Sequence, residues 1–196
     1  MIKPLLVAAI GVAMVLGARA WLSTAGATPA GQPTLVVVTD LETLKSEFNR
    51  EAAKPRAIII LSASCPYCLK GASAIERILA AYRELPIVVF VVWQPILATD
   101  WGQPGTGALH RLADARVRQF WDADHHVAGA FKTSFEGRDD QPQCCYQDGI
   151  WWDLMAAFPP GGEWRDRLPE PALLGGTVED VAGQFDALLA KLSRTR

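Results

Sequence analysis

The sequence predicts one α/β domain built on a largely parallel sheet, and three observations carry that expectation. From Thr34 onward, hydrophobic runs of strand type alternate with stretches of helical spacing. Two of the strands, Ala57 to Leu61 and Ile87 to Trp93, are apolar on both faces, as strands covered by helices on either side must be. Half of the 196 residues are apolar and a fifth are charged, a globular balance that suits one core of ordinary size. The net charge of -2 supplies no basic footprint, so nucleic acid is not an expected partner.

The elements follow in order. Lys3, the uncharged run Pro4 to Ala18 and the small residues of Ala18-Arg19-Ala20 have the order of an export signal. The run is shorter than the roughly 18 residues of a membrane span, yet Trp21 and Leu22 could extend it into an anchor. Residues 1–22 are therefore read as a signal peptide or N-terminal membrane anchor, 23–33 as a Gly, Ala, Thr and Pro linker, and 34–196 as the folded domain. The location implied is periplasmic or otherwise extracytoplasmic, secreted or tethered by the N-terminal helix.

Leu35 to Val38 reads as a short strand, and Thr39-Asp40-Leu41-Glu42 has capping-box spacing before a helix that carries Leu41, Leu44 and Phe48 on one face. Pro55 closes it. The strand Ala57 to Leu61 leads to a helix over Pro66 to Leu85, followed by the strand Ile87 to Trp93. A short helix over Gly105 to Ala115, a strand over Arg116 to Trp121 and a helical turn capped by Asp124 and running to Phe131 form another strand-helix unit. Lys132 to Gly149 is polar and irregular. Trp151 to Phe158 is a strand candidate, Pro159-Pro160-Gly161-Gly162 a turn, and Thr177 opens a last helix with Val178, Val181, Phe185, Leu188 and Leu192 on one face.

The chemistry concentrates at Cys65-Pro66-Tyr67-Cys68, directly after a buried strand and at a helix start. A C-x-x-C in that setting is a redox signature. The free N–H groups of the first turn favour a thiolate at Cys65, Pro66 fits the first helical position, and the three-residue step lets Cys68 attack a mixed disulfide. Cys65 is expected to be the exposed nucleophile and Cys68 the buried resolving thiol.

At these residues the chain resembles the thioredoxin-like superfamily, and Cys-Pro-Tyr-Cys itself is similar to the tetrapeptide typical of glutaredoxins. The resemblance extends from Thr34 to about Leu192. It implies a three-layer sandwich, with Arg116 to Phe131 as a strand-helix insertion before the closing hairpin, as in peroxiredoxin-like and periplasmic thiol-reductase members. Two departures stand out. The family's cis-proline before the closing hairpin has no counterpart in Gln147-Asp148-Gly149-Ile150-Trp151, so the substrate-docking edge is altered. The glutaredoxin threonine-valine-proline is absent, since Thr177-Val178 continues into Glu179, which argues against glutathione specificity.

Cys144-Cys145 is the other cysteine pair. Adjacent Cα atoms lie about 3.8 Å apart, below the usual disulfide range, so a mutual bond would strain the peptide; the pair is read either as a second thiol pair that exchanges with Cys65 or Cys68, or as two small residues packed in a loop with no special role. Trp93 and Gln94, with Trp121 and Asp122, fall at the carboxyl ends of parallel strands and are candidate walls of a substrate groove beside Pro66 and Tyr67. Asp122, Asp124, His125 and His126 mix metal-ligand types, but a turn and a helix cap account for the acids, and no metal or other cofactor is expected. Trp151, Trp152 and Trp164 are read as core cover and Arg165 to Arg167 as a solvated face.

The function expected is an exported thiol-disulfide oxidoreductase acting on protein thiols or disulfides with an unidentified redox partner. The alternatives are a soft-metal carrier for copper or mercury built on two cysteine pairs, and a redox-inert module with a structural Cys65–Cys68 bond.

Overall fold

The computed structural model describes residues 33–195. The predicted signal or anchor, and all of the linker but Pro33, lie outside the described residues. The chain forms β1 (Leu35–Val37), α1 (Leu41–Arg50), β2 (Arg56–Leu61), α2 (Pro66–Ala81), β3 (Val88–Trp93), α3 (Thr106–Leu109) with a 3-10 turn (His110–Leu112), and β4 (Val117–Trp121). It continues through α4 (His126–Phe135), the small hairpin β5 (Tyr146–Gln147) and β6 (Ile150–Trp151), then β7 (Leu154–Phe158), β8 (Leu173–Gly176) and α5 (Val178–Arg194).

Six strands make one sheet in the order β1-β4-β3-β2-β7-β8. The first four run parallel, β7 is antiparallel to β2, and β8 is antiparallel to β7. Because side chains alternate along a strand, β2 feeds both faces. Ile58 and Ile60 join Phe48 of α1 and Phe131 of α4, while Ala57, Ile59 and Leu61 join Ile75 and Leu79 of α2 and Phe185 of α5. Helices on both faces of a central sheet give the three layers of a thioredoxin-like sandwich. The unit β4-α4 is the expected insertion, and β4 lies between β1 and β3.

Several boundaries depart from the sequence reading. Asp40, one residue after the expected cap, accepts from Glu42 N at 2.9 Å and opens α1. Helix α2 stops at Ala81, short of Leu85, and the helix expected over Gly105 to Ala115 is one turn followed by the 3-10 turn. Helix α4 reaches Phe135; its N-cap position is His125, and the carboxylate that meets its first-turn N–H groups is Asp122, not Asp124. The buried Asp122 carboxylate accepts from His126 N at 3.1 Å and Val127 N at 2.8 Å, while His125 turns left-handed with φ 59°. The strand expected over Trp151 to Phe158 is broken at Asp153, also left-handed with φ 52°, which separates β6 from β7. Strand β8 had no sequence signal, because two of its four residues are glycine. Among the described residues no helix is long and apolar enough to cross a membrane.

Candidate active site

The two motif cysteines hang from the end of the central strand β2. Cys65 is the N-cap of α2, and its Sγ accepts a hydrogen bond from Cys68 N at 3.4 Å. Pro66 takes the first helical turn, where no N–H partner is lost. Both cysteines are free thiols. Cys65 is only 2% exposed and Cys68 is 0% exposed. The expected order of burial therefore holds, but the expectation of an exposed Cys65 is corrected. As a cap, its sulfur folds back over the first turn, and the surface at the motif is formed by Pro66 and Tyr67, the latter 61% exposed.

Cys68 points into the interior and lies 3.5 Å from Ser62 N, which donates to its Sγ. Burial first, and then the nearby Asp153 carboxylate, push the Cys68 thiol well above the ordinary thiol range. Asp153 sits at the left-handed turn before β7, is 1% exposed, and accepts from Val178 N at 3.1 Å through Oδ1. Burial raises its carboxyl above the ordinary range; the Val178 N–H opposes that shift, and the negative charges of Asp180 and Glu179 reinforce it. Sequence reading missed Asp153. Its signal was present as the single charge inside the otherwise apolar stretch Ile150 to Phe158.

A second carboxylate braces the motif from the other side. Asp100 Oδ2 accepts from Ser62 Oγ at 2.8 Å and from the Ile96 and Leu97 N–H groups at 2.9 Å each, and Oδ1 accepts from Ser64 N at 3.0 Å. Burial resists its ionisation, but these donors hold its carboxyl below the ordinary range. The loop after β3 is thereby tied to the loop before Cys65. Trp101, the next residue, is 91% exposed.

The candidate groove walls lie elsewhere than expected. Trp93 is fully buried, and its indole N–H donates to Gln119 Oε1 at 2.8 Å. Gln94 is also fully buried; its backbone N–H donates to Leu61 O at 2.9 Å and its Nε2 to Trp151 O at 2.9 Å. Both residues sit at the predicted end of the sheet but are packed in the interior instead of lining an open groove: Trp93 joins the cluster that contains Leu109 and Leu112, and Gln94 is held by the Trp151 carbonyl of the β5-β6 hairpin. Trp121 pairs in register with Trp93 and packs in the same core. His125 Nε2 lies 2.6 Å from Pro95 O, and His126 Nε2 is 3.9 Å from Asp124 Oδ2. Trp151 and Trp164 are buried as expected, Trp152 packs against the core cluster that contains both motif cysteines, and Arg165 to Arg167 are exposed.

Cys144 and Cys145 are bonded to each other, contrary to the expectation that they would not form a mutual bond. That expectation assumed the trans spacing; the peptide joining them is cis and their Cα atoms are 3.1 Å apart. The pair is tied by its backbone to the residue two before β7 and to the end of β8. Trp152 N donates to Cys145 O at 3.1 Å, and a Cβ built on Gly176 would lie 3.1 Å from Cys144 O and 2.7 Å from Asp153 O.

No family model matches the chain, and no curated protein does. Among solved structures, the chain is similar to a thioredoxin-like protein in its oxidised form, at 18% identity and TM-score 0.41 over 70% of this chain and 79% of that one. It is similar to a secreted disulfide oxidoreductase of Mycobacterium tuberculosis at 10% identity and TM-score 0.36, covering 69% and 82% of the two chains. A thioredoxin domain of a thiol-disulfide oxidoreductase from Bacteroides vulgatus gives 13% identity and TM-score 0.40 over 70% and 82%.

Proposed function

We propose that the domain is an extracytoplasmic thiol-disulfide oxidoreductase that works through Cys65 and Cys68. The observation that carries this reading is the pairing of two free thiols in the first turn of α2, one capping the helix and the other buried against Asp153. In the reducing direction, the Cys65 thiolate attacks a substrate disulfide, forming a Cys65–substrate bond and releasing one substrate sulfur as a thiolate. Cys68 then attacks the Cys65 sulfur, the second substrate thiolate leaves, and two electrons have passed from the pair to the substrate. Oxidation of a substrate dithiol is the reverse sequence. Tyr67 and Trp101 offer exposed aromatic surface for a protein substrate, Tyr67 within the motif and Trp101 beside the Asp100 brace.

The Lys3-to-Ala20 signal supports the extracytoplasmic location, with a cleaved leader and a membrane tether as its two forms. The redox-inert alternative differs in its outcome: its Cys65–Cys68 bond would be structural and would exchange with no substrate.

The test is catalysis of disulfide exchange. The reduced protein should accelerate reduction of a disulfide-bonded test protein by about ten-fold or more over a small thiol alone, and Cys65→Ser should return the rate to background. Equilibration with glutathione buffers then gives the potential of the pair and the direction in which it works. A wild-type rate equal to background would remove the reading.

A further inference from the structure

We infer that the Cys144–Cys145 disulfide is a second redox centre that exchanges two electrons with the Cys65–Cys68 dithiol. This rests on the oxidoreductase reading and extends it from one redox pair to two. The structure holds both halves of such an exchange: an oxidised vicinal pair and a reduced C-x-x-C pair in the same chain.

The two pairs are held at the same end of the sheet by four connections. Gln94, whose backbone takes the last carbonyl of β2, uses its side chain to hold the Trp151 carbonyl. The next residue, Trp152, gives its N–H to Cys145 O and packs against the cluster that contains Cys65 and Cys68. Asp153 then turns its carboxyl toward Cys68. From the other side Gly176, paired with Leu154 at the start of β7, has room for no side chain, because the Asp153 and Cys144 carbonyls both press on it. The run Cys144 to Asp153 therefore doubles back through the β5-β6 hairpin with the vicinal disulfide at one end and the residue that faces Cys68 at the other.

The exchange balances within the chain. The Cys65 thiolate attacks one sulfur of the vicinal disulfide, a Cys65–Cys144 or Cys65–Cys145 bond forms, and the other vicinal sulfur leaves as a thiolate that takes a proton. Cys68 gives up its proton and attacks the Cys65 sulfur. The Cys65–Cys68 disulfide forms, the second vicinal sulfur leaves, and the vicinal pair ends as a dithiol. No outside oxidant enters. Run backwards, the same sequence returns electrons from the vicinal pair to the motif, so each pair can serve as the other's reservoir.

The experiment traps the intermediate. Full-length Cys68→Ser protein, reduced and then treated with one equivalent of diamide, is alkylated in acid, digested and mapped by mass spectrometry. The expected product is a Cys65 peptide linked to the Cys144-Cys145 peptide, about ten-fold or more above the same variant oxidised in denaturant. In a second measurement that does not depend on this variant, protein oxidised at both pairs receives one equivalent of dithiothreitol. Reduction of the vicinal disulfide should be about ten-fold slower in the Cys65→Ser, Cys68→Ser protein than in wild type. Absence of the linked peptide, or an unchanged rate of vicinal reduction, overturns the relay. Assaying the Cys144→Ser, Cys145→Ser protein on the test protein separates the two ideas: retained catalysis there leaves the Cys65–Cys68 reading standing when the relay fails.

Discussion

The carboxyl of Asp153 faces the thiol of Cys68 in the interior: its charge raises the proton affinity of the thiol, while its own carboxyl is pushed up by burial and the Cys68 thiol opposes that rise. Two acids sharing a buried space cannot both ionise cheaply. When Cys68 is called on to give up its proton, the state of Asp153 sets the ease with which it does so.

Asp153→Asn tests that coupling with little change of shape, since asparagine tolerates the left-handed φ and keeps an oxygen for Val178 N–H. The folded carboxyl titrates above its unfolded value. The native state is thus at full strength below the ordinary carboxylate range and loses stability as pH rises through the folded value. The variant should gain on wild type in urea unfolding as pH rises from the ordinary carboxylate range through the raised folded value. In a Cys65→Ser background it should also move the ultraviolet thiolate signal of Cys68 to lower pH. A gap that does not change with pH would reject the coupling.

Asp100 has the opposite sign. Its folded carboxyl titrates below its unfolded value, so its contribution is complete above the ordinary carboxylate range and drains away as pH falls through the folded value. Asp100→Asn cannot satisfy all four donors that meet the carboxylate. The expected cost is about 2 kcal/mol near neutral pH, narrowing in acid, with slower disulfide exchange because the loop before Cys65 loses its brace. Equal losses at pH 3 and pH 7 would contradict this.

Cys65 should be alkylated well before Cys68 in the reduced protein. Burial and the Asp153 carboxylate keep Cys68 protonated, and thiolate is the reactive form. Peptide mapping after brief iodoacetamide treatment near neutral pH gives the order, and earlier labelling of Cys68 would reverse the assigned roles.

Two helical glycines should respond to alanine in opposite ways. At Gly71 in α2 the new Cβ would sit 2.8 Å from Val178 Cβ and 3.2 Å from Glu179 N. That clash, about 1–3 kcal/mol, outweighs the helix gain of about 1 kcal/mol, so Gly71→Ala should destabilise the contact between α2 and α5. At Gly129 in α4 a Cβ would meet nothing within 4 Å, and Gly129→Ala should stabilise by about 0.5–1 kcal/mol. Chemical denaturation of both variants measures the pair.

The order of layers was readable because the strongest signals were periodic. Ile58 to Ile60 and Val88 to Val92 are apolar on both faces, and the helices around them carry one apolar stripe each. The cysteine motif could be placed because a helix start follows such a strand. The brace from Asp100 and the facing acid Asp153 were not readable as partners of the motif. Each acts across a long stretch of chain, 36 residues in the case of Asp100 and Ser64, and no local spacing encodes such a contact. Trp93 looked like a groove wall because strand ends usually meet ligands; its indole instead bonds Gln119, 26 residues on, and packs in the cluster with Leu109 and Leu112. The vicinal bond escaped because the trans spacing was assumed for its peptide.

The place of β4 has a mechanical side. Strand β1 is three residues long and has a single neighbour in the sheet, joined through pairs such as Val37 with Trp121. A pull applied at the N-terminal end of the described domain is taken first by that outermost strand, with β4 and β3 standing between it and β2. The loop that carries Cys65 hangs from β2, so the chemistry is insulated from strain arriving at the end of the domain that a tether would hold.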